Sequence, residues 1–223
     1  MASERRTLPS ANPAKAAPTR GRGDEASAVR KQGDEERELE SAAVHPIVSG
    51  DRHAGVIRAV ADLLSRLRLD FVFVGSVARA AHLGHPIGGG SIDAIATMGP
   101  QQKNQLAMMA KNNGFLVERE EIEAAEELDL VPMRFDDTRV HVLVASNALY
   151  GRMVAEGVQA QLGDVTLKVP RIEDFALLLQ MNNDVESLMS VIECPQFDRA
   201  SYNAKLLAIG LRDFIVPQAE DKP

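Results

Sequence analysis

Asp93 is the one carboxylate in the apolar run Ser91-Ile92-Asp93-Ala94-Ile95-Ala96. A carboxylate carried on a buried strand is an oxygen donor, the ligand type that a hard cation takes. Upstream, the β-branched and aromatic run Phe71-Val72-Phe73-Val74 stops at Gly75-Ser76, a pair at which a chain can turn sharply. His141, in Val140-His141-Val142-Leu143-Val144, lies two residues from Leu143 and shares its strand face. A histidine alone on a strand is ordinarily a packed or surface residue, and imidazole suits a hard cation poorly. The single cysteine, Cys194, excludes an intramolecular disulfide and is expected to serve packing, and no Cys or His cluster has zinc spacing. The loop Gly84-His85-Pro86-Ile87-Gly88-Gly89-Gly90 lacks both Gly-Lys-Ser/Thr and Gly-x-Gly-x-x-Gly before a helix, which leaves a flexible connection between helix and strand.

The elements that must position these residues follow from periodicity. Asp51 to Leu69 repeats Val56, Val60, Leu63, Leu64 and Leu67 at helical spacing, so an amphipathic helix leads into the strand at Phe71. Val77 to Leu83 predicts a short helix, closed by Pro86 and the glycines, before the second strand at Ser91 to Ala96. Gln101 to Asn113 predicts another helix, ended by Gly114 and followed by Phe115-Leu116-Val117. Glu118 to Asp129 is strongly acidic, as a solvated helix or loop would be. Two β-rich runs around Asp136-Asp137 predict a hairpin, and Val158 to Val169 a second one turning at Gly163-Asp164. Tyr150, Arg152 and Met153 are read as leading into that second hairpin. Pro170 to Met181 predicts a buried helix with acidic residues in its first turn, and two further helices follow Val185, broken at Pro195 and ended near Gly210.

Composition bounds the rest. The chain has 223 residues, 45% apolar and 26% charged, enough for one domain with extensions. No run approaches the roughly 20 apolar residues of a membrane span, and no apolar signal segment is present, so the expectation is a cytoplasmic protein without a membrane partner. A net charge of -7 argues against a general nucleic-acid partner. Residues 1–50 hold almost no large apolar side chains and are expected to form a disordered tail, with a short acidic helix conceivable around Asp34 to Glu40 and Arg22-Gly23-Asp24 a chance triplet. Residues 51–223 form the expected domain.

Taken together, the strand ending in Gly75-Ser76, the short helix and the strand bearing Asp93 resemble the signature of the nucleotidyltransferase superfamily, especially its minimal bacterial members related to abortive-infection and toxin–antitoxin proteins. The resemblance runs from about Val56 to Ile192 and implies an α/β (α+β) fold: a mixed sheet flanked by helices, with further helices at the C-terminal end. In that family the first strand ends in Gly-Gly or Gly-Ser, and the second carries Asp-x-Asp, whose carboxylates hold Mg²⁺ against a nucleoside triphosphate. Gly75 and Ser76 then match the nucleotide-binding turn, and Asp93 matches the first catalytic, metal-holding aspartate. Three departures accompany the match. Ile95 stands where the second aspartate would be, Leu143 stands where the third would be, and Leu179 to Asp184 lacks the family's Lys and Arg.

The resemblance with its departures implies a catalytically degenerate binding or regulatory module, with a nucleotide and a protein as candidate partners. The alternative is an active enzyme that uses Mg²⁺ to move an NMP from an NTP to a protein or nucleic-acid hydroxyl, in which Glu127 or Asp129 would replace the lost ligands. In the degenerate case Asp93 is expected near the strand edge, a lone carboxylate facing a pocket formed by Gly75 and Ser76, with Ile95 and Leu143 apolar on the same side.

Overall fold

A computed structural model describes residues 51–118 and 129–211. The tail over 1–50 and most of the acidic stretch, Glu127 included, lie outside the described residues. In chain order the elements are α1 (Asp51–Arg66), β1 (Phe71–Phe73), α2 (Gly75–Leu83), β2 (Ser91–Ala96), α3 (Pro100–Asn112), β3 (Leu130–Phe135), β4 (Thr138–Val144), α4 (Ala148–Glu156), β5 (Val158–Leu162), β6 (Val165–Val169), α5 (Ile172–Met181), α6 (Val185–Ile192) and α7 (Arg199–Ala208). The expected mixed sheet flanked by helices is present.

Its order is β1-β2-β4-β3. β2 runs antiparallel to β1 and parallel to β4, and β3 closes the hairpin around Asp136-Asp137. β3 lies at an edge and carries Pro132, which a ladder interior would not tolerate because proline has no N–H to donate. Beside it, Leu116, in the segment that follows α3, forms an isolated two-way bridge to Arg134 at 2.8 Å in each direction. β5 and β6 form a separate two-stranded sheet, which meets β1 through β6.

Period-two alternation divides the main sheet into two faces. Ile92, Ala94, Val140 and Val142 are fully buried and share one of them. Asp93, Ile95, His141 and Leu143 share the other. α1 and α3 reach the sheet through β2 and β3 respectively, while α2 packs on β2.

Two details differ from the sequence reading. α2 begins at Gly75, so Gly75-Ser76 is the helix's own first turn rather than a separate turn before it. The segment containing Tyr150 and Arg152 is a helix, α4, whose N-terminus is capped by the Asn147 side chain accepting from the Tyr150 N–H at 2.9 Å. At the end of α4 comes Gly157, where an added Cβ would lie 2.7 Å from the Val169 carbonyl oxygen and 2.9 Å from that of Met153. Backbone atoms cannot swing aside as a side chain can, so only glycine fits between α4 and β6.

α5 is buried nearly all round, as a helix with apolar residues on every face must be. Of its two buried carboxylates, Glu173 is 8% exposed and Asp174 0%. The Oδ1 atom of Asp174 accepts from Arg152 of α4 at 2.9 and 3.1 Å and lies 3.0 Å from Nζ of Lys205 on α7. One carboxylate thus ties three helices together. Replacing Asp174 by Ala leaves two half-covered cations facing each other without their counterion. Asp174→Ala is expected to lower stability by about 3–5 kcal/mol, read as a shift of the urea midpoint at unchanged slope, and a change below about 1 kcal/mol would contradict this role.

Candidate ligand pocket

The sheet face carrying Asp93 opens into a cavity of about 320 Å³. Its floor is apolar, built by Ile95 and Leu143 from the sheet and by Phe175, Leu178 and Leu179 from α5. Gly75 and Arg79 of α2 line it four residues apart, one above the other on a single helix face. Tyr150 of α4 and the link from Asn182 to Asp184 also reach it. The volume and the lining, mostly apolar with a few converging polar groups, suit a small-molecule site.

Asp93 is not the lone carboxylate expected. In the parallel register it stands directly beside His141, and the imidazole Nδ1 donates to Oδ1 of Asp93 at 2.8 Å. The second oxygen accepts from the Ser91 hydroxyl at 3.1 Å. Nor does Asp93 lie at a sheet edge, since β2 is an inner strand. Ile95 and Leu143 share its side of the sheet, as the alternation required.

Gly75 has φ +58, a left-handed conformation that side chains rarely adopt, and an added Cβ would stand 2.8 Å from Oδ2 of Asp93. The glycine is therefore what lets the start of α2 come down onto the carboxylate. Ser76 takes a different direction: its hydroxyl reaches back to the Ser91 carbonyl at 3.4 Å, a marginal bond, and Ser76 is not among the residues lining the cavity.

Arg79 and Asp184 form the pocket's second charged pair, at 2.6 Å. Asp184 is anchored by its backbone role, since its other oxygen accepts from the Ser187 N–H and caps α6. The Nε atom of Arg79 is buried and has no hydrogen-bond partner among the described residues. Arg79, Tyr150 and Asp184 went unremarked as site residues in the sequence. Helical spacing from Gly75 points to Arg79 and the Asn147 cap points to the helix of Tyr150, whereas the pairing of Arg79 with a residue 105 positions away has no local signal.

The residues present do not fit Mg²⁺. That ion wants an octahedron of oxygen ligands at about 2.0–2.1 Å, and here both oxygens of a single carboxylate are engaged by a ring nitrogen and a hydroxyl, with isoleucine and leucine beside them. Among the described residues no group of three or more His, Cys, Asp and Glu is placed to hold a metal ion. Cys194 lies outside the pocket lining; burial, then the nearby Glu193 charge, push its thiol above its ordinary value, which keeps it protonated and slow to react.

No protein-family model matches the chain. No curated protein matches it either. Among solved structures, the antibiotic-resistance factor ANT(2'')-Ia in solution is similar with a TM-score of 0.49 and 15% identity, over 73% of this chain and 90% of that one. The crystal structure of ANT(2'')-Ia with adenylyl-2''-tobramycin is similar with a TM-score of 0.44 and 15% identity, over 73% and 95%. An antigenic nucleotidyltransferase-like protein from Paracoccidioides brasiliensis gives 0.43 and 12%, over 75% and 90%.

The close approach of α2 to Asp93 is testable by itself. Gly75→Ala is expected to cost about 1–2 kcal/mol from the left-handed backbone alone, and more once Asp93 is displaced. A urea midpoint unchanged from wild type would contradict it.

Proposed function

We propose that the chain is a nucleotidyltransferase-fold protein whose residues 51–223 form a binding or regulatory module and no longer transfer nucleotides. The tail over residues 1–50 is, on this reading, an extension of that module, and the protein works in the cytoplasm. The single observation that supports this reading is the composition of one sheet face: the carboxylate of Asp93 is committed to His141, and Ile95 and Leu143 occupy the neighbouring inward positions.

Metal-assisted phosphoryl chemistry needs oxygen ligands around both the attacking and the leaving oxygen, and positive charge on the phosphates. Neither demand is met. One carboxylate with a histidine leaning on it is a poor metal ligand, and the guanidinium of Arg79 is already neutralised by Asp184. Gly75 lines the cavity as the first residue of α2 and Ser76 is turned away from it, so neither brings a group that would act on a phosphate.

The test is a transfer assay with each α-labelled ribonucleoside triphosphate, Mg²⁺ and the protein itself or added RNA as acceptor. No label should be incorporated above the level of the Asp93→Ala variant. Mg²⁺-dependent incorporation by the wild type, lost in Asp93→Ala, would establish the alternative, an active transferase.

A further inference from the structure

We propose that the pocket selects an uncharged ligand, and that Asp184 is the residue that sets this choice by cancelling Arg79. This deepens the reading above and rests on it, because it assigns a ligand class to the same cavity.

Among the described residues the charges lining the cavity are one guanidinium, Arg79, against two carboxylates, Asp93 and Asp184. A phosphate or carboxylate ligand would need Arg79 for itself, because planar, paired donors are what make arginine an anion receptor. Asp184 already holds that position at 2.6 Å. It cannot swing away cheaply, because its other oxygen caps α6 through the Ser187 N–H. An anion entering the cavity would therefore meet a bound carboxylate where it needs a free cation, and a second carboxylate at Asp93.

What the cavity leaves open is suited to neutral hydrogen-bonding groups. The Nε–H of Arg79 is buried without a partner among the described residues. A buried donor in that state carries a desolvation penalty that an acceptor on a ligand would remove. With Nδ1 of His141 directed at Asp93, Nε2 is the ring atom left for a ligand, and in the neutral imidazole that has its proton on Nδ1 it is an acceptor. Between these groups lie the apolar surfaces of Ile95, Leu143 and Phe175. The complementary molecule has an apolar or aromatic body, an acceptor such as a carbonyl or ring nitrogen for Arg79, an N–H or O–H for His141, and no formal negative charge. A nucleoside has this chemistry and its 5′-phosphate does not.

Adenosine and AMP are a matched pair of probes that differ by the phosphate. In calorimetric titrations of the full chain in EDTA, adenosine should bind saturably and AMP about tenfold more weakly, or more. Asp184→Asn retains a capping side chain while removing the charge that occupies Arg79. In that variant the ratio of AMP to adenosine affinity should rise about tenfold. The gain should vanish in Asp184→Asn/Arg79→Gln, which has no guanidinium to release. Thermal unfolding followed by circular dichroism checks that each variant is folded, and the wild-type ratio decides the question even if one is not. AMP binding more tightly than adenosine to the wild type, no saturable binding of adenosine, or an affinity ratio unmoved by Asp184→Asn in a folded variant would overturn the proposal. Because the titration contains no metal, its outcome is distinct from the transfer assay: label incorporation sinks the reading of a silent module, whereas the affinity ratio sinks only the ligand class.

Discussion

The parallel register between β2 and β4 is the constraint on which the pocket depends. Pairing Asp93 with His141 and Ile95 with Leu143 places a polar pair and an apolar pair side by side on one face. A slip of β4 by a single residue would replace His141 and Leu143 in the cavity by Val140 and Val142, and a slip of β2 would replace Asp93 and Ile95 by the apolar Ile92 and Ala94. The register is secured by what lies behind it: Ile92, Ala94, Val140 and Val142 are fully buried, so a slip would expose apolar side chains. Ile92, Val140 and Val142 would each forfeit on the order of 1.5–3 kcal/mol of burial on becoming solvent-exposed. The hydrophobic core therefore holds the Asp93–His141 pair in place without touching it.

The opposite wall is held by a different kind of interaction. α5 supplies Phe175, Leu178 and Leu179 to the cavity, and Asp174 fixes its position by meeting Arg152 from α4 and Lys205 from α7. His82 adds a further tie from α2, its Nε2 donating to the Pro170 carbonyl at 2.8 Å while its ring stacks on Phe175. Apolar packing gives this wall most of its stability; the buried charges add direction, because a carboxylate with two cations around it has few alternative arrangements.

Much of this was legible in the sequence, and what was not has identifiable reasons. Apolar and β-rich runs announced β2 and β4, helical spacing announced α1, a proline with acidic residues in the first turn announced α5, and Gly-Asp and Asp-Asp placed both hairpin turns. Period two alone put Asp93 and Ile95 on one face. The partner of Asp93 was hidden because it depends on which strand lies beside β2 and in what register, and neither is encoded within either segment. His141 was noticed, yet read as an isolated strand histidine. α4 was missed because it is a short helix between two β-rich regions, signalled mainly by Asn147. The Arg79–Asp184 pair joins α2 to the link after α5, so helical spacing could nominate Arg79 but nothing local could reveal that its charge is already spent.

The central claim is that the carboxylate of Asp93 belongs to His141 and not to a cation, and ring-nitrogen NMR of His141 tests it most directly. In ¹⁵N-labelled protein, at a pH well above the ordinary imidazole range, the His141 ring should carry its proton on Nδ1, with Nε2 unprotonated, and neither signal should move when Mg²⁺ is added. A ring protonated on Nε2, or a saturable Mg²⁺-dependent shift of the Nδ1 signal, would mean that Asp93 is free to hold a metal and would contradict the account.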